Sequence, residues 1–408
     1  MKKMTEVLLE NKNTHMTHIE EYVLNGGVNG ARQAINFLRG IRDSLAGSSS
    51  RSINITVKFD GAPAVFAGID PSDGKFFVAK KGIFNKNPKV YKTEEDIDDD
   101  TSGDLNAKLK LALKYLPSLG ITGVIQGDFL YSKKDLKIKI IDNQKYVTFH
   151  PNTIMYAVPL KSPLGQTIRK SKMGIVWHTT YSGNTFESMK ASFGKNIATN
   201  QIKTPDVWSV DAMYNDASGA ATFTEKETAE LTSILSEAGK VFNKIDAKIL
   251  NTISSNDELL IRMKTFLNTK VRKQEKVSNV RKAVSDMITY FHDYYKAEEQ
   301  KKKTDKGKSA VQDRKKQVMK IFATDNAKSL ENILTLMNLI VDAKMMVIKK
   351  LNNAKSVDTF LLTPNGIKAT GQEGFVAIDS SQNAVKLVDR LEFSYANFNP
   401  NVIKGWQR

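Results

Sequence analysis

An α+β fold, with antiparallel sheets flanked by helices and interrupted by a large all-helical insertion, is what this sequence predicts. Three observations carry that expectation. Short apolar runs bounded by turn residues fill 53–178, apolar spacing of three and four residues takes over from about 225, and strand-like runs return after 356. The expected organisation is a first core segment at 1–224, a basic helical insertion at 225–355 and closing strands at 356–408.

Taken in order, Ala31, Ala34, Ile35, Leu38, Ile41 and Leu45 mark an amphipathic helix over 30–46, ended by Gly47 and the Ser/Arg residues after it. Strands are expected at 53–57, 64–68 and 75–80, with the turn Asp70-Pro71-Ser72-Asp73-Gly74 between the last two. The acidic run 94–100 reads as an exposed loop leading into a helix at 104–115. Further strands are expected at 123–131, 146–149, 153–158 and 174–178. In the insertion, Leu259, Leu260, Met263, Phe266 and Leu267 form one apolar face. Leu330, Ile333, Leu334, Met337, Ile340, Val341, Met345 and Ile348 form another. The segment 298–308, with Lys301, Lys302 and Lys303, reads as an exposed connector. A closing hairpin is expected at 374–378 and 384–388, about a Ser380-Ser381-Gln382-Asn383 turn.

Composition narrows the chemistry. No cysteine is present, which excludes disulfides, thiolate catalysis and cysteine-ligated metals. Five histidines without HExxH spacing give no expectation of a transition-metal site. No apolar run reaches the ~20 residues that span a bilayer, and the start lacks a long apolar leader, so a cytoplasmic protein without a membrane partner is expected. The formal charge of +17 points to a polyanionic partner. Residues 261–320 hold 18 Lys/Arg against 7 Asp/Glu, so a nucleic-acid contact is expected there, with a solvated helical surface as the plainer alternative.

The chemistry-bearing residues stand in a fixed order. Lys58-Phe59-Asp60-Gly61 closes the first strand, placing an amine, a carboxylate on its face and a glycine that lets a ligand approach. Lys80 and Lys81 end a later strand, and Gly127-Asp128 lies within a buried one. Phe149 and Tyr156 are strand aromatics, Glu373-Gly374-Phe375-Val376 opens the closing hairpin, and Lys386 sits on its second strand.

This order resembles the covalent nucleotidyltransferase superfamily of ATP-dependent DNA and RNA ligases and mRNA capping enzymes. Its marks are a KxDG lysine, a hydrophobic-Gly-acid strand, an aromatic-bearing strand, EGxV and a closing-strand lysine. The resemblance covers about 50–200 and 360–392. The N-terminal stretch, with Asn25-Gly26-Gly27, is also similar to uncharacterised proteins of large tailed phages.

The resemblance implies a ligase-type nucleotidyltransferase core with ATP as substrate, Mg²⁺ as cofactor and a covalent Lys58–AMP intermediate. It implies that Asp60 orients the reacting groups, that Asp128 and Glu373 hold Mg²⁺, and that Lys386 with Lys80 or Lys81 contacts phosphate. Phe149 or Tyr156 would stack on adenine. Attack requires a neutral Lys58, so its pKa is expected to fall through burial and neighbouring cations. Three departures from the family pattern stand out. The strand acid is Asp128 where Glu is common, and Val388 occupies the place of a second closing lysine, for which Arg390 is the candidate substitute. Little chain follows Lys386, so no C-terminal OB-fold is expected and the basic insertion is the candidate substitute. The expected activity is sealing of 5′-phosphate ends, with RNA slightly ahead of DNA. The alternatives are AMP transfer to another acceptor and a non-catalytic nucleic-acid-binding or virion protein that keeps the fold.

Overall fold

The computed structural model describes residues 16–47, 53–214, 219–354 and 357–407. The chain start, the Ser/Arg residues at 48–52 and the expected boundary at 355–356 lie outside the described residues.

The fold is α+β, with fourteen strands among the described residues. In chain order they are β1 (Asn54–Lys58), β2 (Ala64–Ile69), β3 (Phe76–Ala79), β4 (Val124–Ser132), β5 (Lys137–Ile141), β6 (Gln144–Phe149) and β7 (Ile154–Pro159). β8 (Met173–Ser182), β9 (Lys190–Phe193), β10 (Val207–Asp211), β11 (Asp358–Thr363), β12 (Gly366–Ala369), β13 (Gly374–Ile378) and β14 (Ala384–Leu387) follow. They form three sheets, ordered β1-β13-β14, β10-β8-β4-β2-β3 with β9 beside β8, and β12-β11-β7-β6-β5. All pairings are antiparallel except β10 with β8.

The closing hairpin forms as expected and pairs with β1, so Lys58 lies opposite Gly374 and Val376 lies opposite both Thr56 and Lys386. The far end of the chain supplies more than that hairpin, because β11 and β12 extend the five-stranded sheet through β7. Their mixed polarity conceals the period-two pattern: β12 is exposed throughout.

Three helical segments differ from expectation. The acidic run is a helix, Glu94–Asp100, because Thr93 and Asp96 form a reciprocal capping box and Ile97 is buried beneath it. The expected connector at 298–308 is mostly helical. Val280–Gln300 runs to the edge of the lysine triplet, and Asp305–Met319 begins on a Thr304 cap. The N-terminal helix starts early, at Gly27, where a Cβ on Gly30 would lie 2.0 Å from the Tyr22 carbonyl oxygen. Such an approach requires glycine.

The helices Glu225–Phe242, Ala247–Ser255, Asp257–Arg272, Val280–Gln300, Asp305–Met319 and Ala327–Leu351 do not stand apart from the strands. Leu336, Ile340 and Val347 are fully buried in a core shared with Leu38 of Gly27–Leu45 and with Phe375, Ala377, Val385 and Leu387 of the three-stranded sheet. Each such aliphatic side chain contributes roughly 1.5–3 kcal/mol, so apolar burial rather than surface charge holds the block to the sheet. The opposite face of that small sheet, carrying Thr56, Lys58 and Lys386, is left for the site.

Candidate functional site

Sheet register brings the ordered residues to one place. Lys58 and Thr56 share a face of β1, Thr56 lies opposite Val376, and Val376 lies opposite Lys386, so Lys386 is on the face of Lys58. Glu373 precedes Gly374, the residue opposite Lys58, and its carboxylate is ion-paired with the Lys58 amine. A Cβ on Gly374 would come within 2.5 Å of the Leu387 carbonyl oxygen, so glycine allows β14 to close against this point.

The third element comes from the facing sheet. A Cβ on Gly61 would lie 2.5 Å from Asp128 Cβ, so the glycine of the KxDG turn admits β4 rather than a ligand. Backbone bonds from Ala62 N to Phe129 O and from Phe129 N to Pro63 O, both 2.9 Å, fasten that contact. Asp128 thereby stands close enough for its charge to act on Lys58.

His178 also belongs here, although its setting in Val176-Trp177-His178-Thr179 reads as that of a core residue. Across the β4–β8 ladder Gln126 faces Thr179 while Gly127 faces Trp177, which makes His178 the extra residue of a bulge. Its Nε2 lies 3.7 Å from Asp128 Oδ2, and its Nδ1 is 2.7 Å from Thr179 Oγ1. The period-two alternation of a strand carries no mark of where a bulge falls.

Several expected residues have other work. The Asp60 carboxylate accepts hydrogen bonds from Asn152 Nδ2 at 2.6 Å, Thr153 N at 2.6 Å and Ile154 N at 2.8 Å. Its own N–H donates to Tyr156 Oη at 2.6 Å. Asp60 therefore ties the KxDG turn to the β6–β7 loop, and the structure uses it as an anchor rather than an orienting group. Replacing Asp60 with Ala strands two buried backbone donors and the part-buried Asn152 amide, and we expect a loss of about 2–4 kcal/mol in urea denaturation. Phe149 and Tyr156 have no exposed surface and stack on each other with ring centroids 5.2 Å apart, so neither can take a nucleobase. Arg390 donates to Glu21 Oε1 at 3.1 Å and also bonds Asn268, joining the closing segment to the helices. It does not replace a second closing lysine, and Val388 is buried in the core. Lys80 is bound to Asp100 at 2.8 Å, away from Lys58, whereas the charge of Lys81 acts on Lys386.

The electrostatics of the pair reverse one expectation. Burial works to lower the Lys58 pKa, but the carboxylates of Glu373, Asp128 and Asp60 together outweigh it and hold the amine above its usual value. Burial, with Asp60 and Asp128 nearby, pushes Glu373 up to about 7 against the pull of Lys58. Lys386 is lowered by burial and by the Lys58 charge. The resting site thus holds an ammonium bonded to a carboxylate of unusual basicity, together with a second amine of reduced basicity.

Among the described residues no group of three His, Asp or Glu forms a protein-only metal cage. Asp128 and Glu373 instead fit a hard cation that takes one or two carboxylates and completes its shell with phosphate oxygens and water, the usual Mg²⁺ arrangement. Beside Lys58 and Asp128 lies a cavity of about 80 Å³ walled by Phe59, Val176, Phe193, Val376 and Ile378. Small-molecule pockets usually measure ~300–1,000 Å³, so a whole nucleotide requires this cleft to widen. Phe59 and Phe193 are its aromatic walls, and Tyr156 backs Phe59 at a ring-centroid distance of 5.6 Å.

Residues 13–402 match a family described as "Family of unknown function (DUF6267)". No curated protein and no solved structure matches the chain. No helix among the described residues is long and apolar enough to cross a membrane.

Proposed function

We propose that this chain, which belongs to the family of unknown function DUF6267, is a covalent nucleotidyltransferase of the polynucleotide-ligase type, using ATP and Mg²⁺. The convergence of Lys58, Asp128, Glu373 and Lys386 from four separate strand segments carries the reading. A structural lysine needs one counter-ion. It does not need a second amine on its own face and another acid from the opposite sheet.

The step follows from the pair. Lys58 begins as an ammonium, which has no lone pair to attack with. Glu373 is basic enough to accept one proton once the negative phosphates of a nucleotide lie alongside. The Lys58 Nζ lone pair then forms a bond to the α-phosphorus, the bond from that phosphorus to the bridging oxygen breaks, and pyrophosphate leaves. A second N–H proton passes to solvent, leaving a phosphoramidate. Lys386, on the same face, stabilises negative charge on the α-phosphate oxygens. A Mg²⁺ held by Asp128 and the phosphates would neutralise charge on the nucleotide, leaving Glu373 free to serve as the base. Phe59 and Phe193 would flank the base in the widened cleft. In the second half-reaction the nucleoside monophosphate passes to a 5′-phosphate end, which is then sealed, with RNA favoured over DNA.

The direct experiment incubates the protein with Mg²⁺ and ATP or GTP labelled at either the α- or the γ-phosphate. Label that survives denaturation and alkali, comes from the α-position only and is discharged by added pyrophosphate is the expected result. No label from either nucleotide removes this reading. The second reading, a nucleic-acid-binding protein that keeps the fold without turnover, is favoured by the narrowness of the cleft and by the ion-paired state of Lys58.

Glu373 gives the reaction a pH signature. Below about 7 its carboxyl is protonated and cannot take the Lys58 proton, and above that value it can. Adduct formation should rise with pH through about 7 and level off. Glu373→Gln should slow the step roughly 10²–10⁴-fold and abolish that inflection. An unchanged pH profile in the variant would show that another group is the base.

A further inference from the structure

We infer that the end of the helical hairpin built from Val280–Gln300 and Asp305–Met319 binds the phosphate backbone of nucleic acid. The charge of the insertion is not evenly distributed. Residues 301–320 hold nine Lys/Arg against two Asp, most of the excess of the whole block. What distinguishes them is how little of that charge is already neutralised.

Closer to the core, four of the six lysines in 261–300 are occupied. Lys264 pairs with Glu21 at 3.1 Å, Lys270 with Asp286 at 3.3 Å, Lys276 with Asp342 at 2.9 Å and Lys282 with Asp286 at 2.8 Å. The first three pairs tie separate segments together, and the fourth lies within Val280–Gln300. Beyond Gln300 the pattern changes. Lys302, Lys303, Lys306, Lys308 and Lys316 are exposed, Lys315 is half-buried, and none of the six forms an ion pair among the described residues. The helix that carries the last four buries only Val311 and Val318. Most of its surface therefore faces solvent, and its lysines serve no packing role.

Unpaired like charges this close repel one another, and a polyanion relieves that repulsion while releasing its counter-ions. The surface does not fit a bilayer. An interfacial helix needs a broad apolar face with large side chains, and no large exposed hydrophobic residue lies in 301–320 among the described residues. A regular row of phosphates is the matching partner. Lysine, a point charge on a flexible stem, suits backbone contact without base readout. The inference adds to the proposed function the place where a polynucleotide acceptor is held, and it rests on that reading only for the identity of the acceptor.

The test replaces Lys302, Lys303, Lys306, Lys308, Lys315 and Lys316 with Gln. Binding of a 5′-phosphorylated RNA oligonucleotide and its DNA equivalent is then measured against salt concentration. A control variant carries Lys226→Gln, Lys240→Gln and Lys328→Gln, exposed positions elsewhere in the helical block. We expect the six-fold variant to lose at least about tenfold in affinity at low salt. Its salt slope should become shallower by roughly 0.7–0.9 for each lysine that touches a phosphate. The control variant should bind like the parent. Equal slopes for the parent and the six-fold variant would overturn the proposal, as would binding to anionic phosphatidylserine vesicles in place of the oligonucleotides. Labelling of Lys58 reads out separately: a hairpin variant that still forms the adduct but loses RNA affinity supports this site. Loss of RNA affinity in a protein that never labels supports the hairpin and removes the transferase reading alone.

Discussion

Lys58→Arg should retain the fold and abolish covalent labelling by α-labelled nucleotide. Arginine keeps a permanent cation beside Glu373, so the buried carboxylate stays paired and the cost in stability is small. It cannot lose a proton in a protein, however, so no lone pair reaches the phosphorus. Lys58→Ala also abolishes labelling, but it leaves Glu373 without its counter-ion, and the carboxyl should then titrate still higher than about 7. The two variants separate roles that one substitution would confuse. A structural Lys58 predicts that Arg is tolerated and labelling continues, whereas a nucleophilic Lys58 predicts a stable, unlabelled protein. Lys386→Ala should slow labelling without abolishing it, because Lys386 stabilises charge and forms no bond to phosphorus.

The largest effect on stability is expected far from Lys58, at Lys344→Met. The Lys344 amine is almost wholly buried and lies 3.0 Å from both carboxylate oxygens of Glu20, itself buried. Removing one member of a buried pair leaves an uncompensated charge and costs about 3–5 kcal/mol. Arg390, 3.8 Å from Glu20, remains and should hold the loss toward the lower end. Burial alone would raise the Glu20 pKa, but Lys344 together with His18 and Arg390 outweighs it and the folded value lies below the ordinary 4.5. The pair therefore stabilises the fold above about 4.5, and that contribution is lost as pH falls through the lowered folded value. The deficit of Lys344→Met should accordingly be full at neutral pH and shrink in acid as Glu20 becomes protonated. Adding Glu20→Leu to Lys344→Met should restore most of the urea midpoint, since apolar pairs often replace buried ion pairs at little cost. A double variant no better than the single would place the cost in lost packing rather than in the stranded charge.

These two pairs also show which parts of the molecule were legible in its sequence. Lys58, Glu373 and Lys386 are legible from the order of their motifs along the chain, and the strand register is what brings them together. Gly61 and Asp128 were marked as belonging to the site, but the reason for the glycine was not visible: the close neighbour is Asp128 Cβ. Phe149 and Tyr156 were marked by residue type, and type cannot distinguish an aromatic that faces a cleft from one stacked in the core behind it. Phe59, next to the lysine, is the one that lines the cleft. Asp60 is expected to orient the reacting groups and Arg390 to contact phosphate, yet their partners are Thr153, Ile154, Glu21 and Asn268, between 93 and 369 residues away along the chain. Such partners are fixed by tertiary packing, which local pattern does not encode. The helix Glu94–Asp100 was recoverable, since Thr93 and Asp96 stand at capping-box spacing, but its acidity drew the reading toward a loop.

Attachment of a nucleotide to Lys58 is the central claim, and intact-protein mass followed by peptide mapping tests it most directly. After incubation with ATP and Mg²⁺ the protein should gain the mass of one nucleoside monophosphate, carried on the peptide that contains Lys58 and absent from Lys58→Arg. An unchanged mass with both ATP and GTP, or an increment mapped to any other residue, would contradict the account.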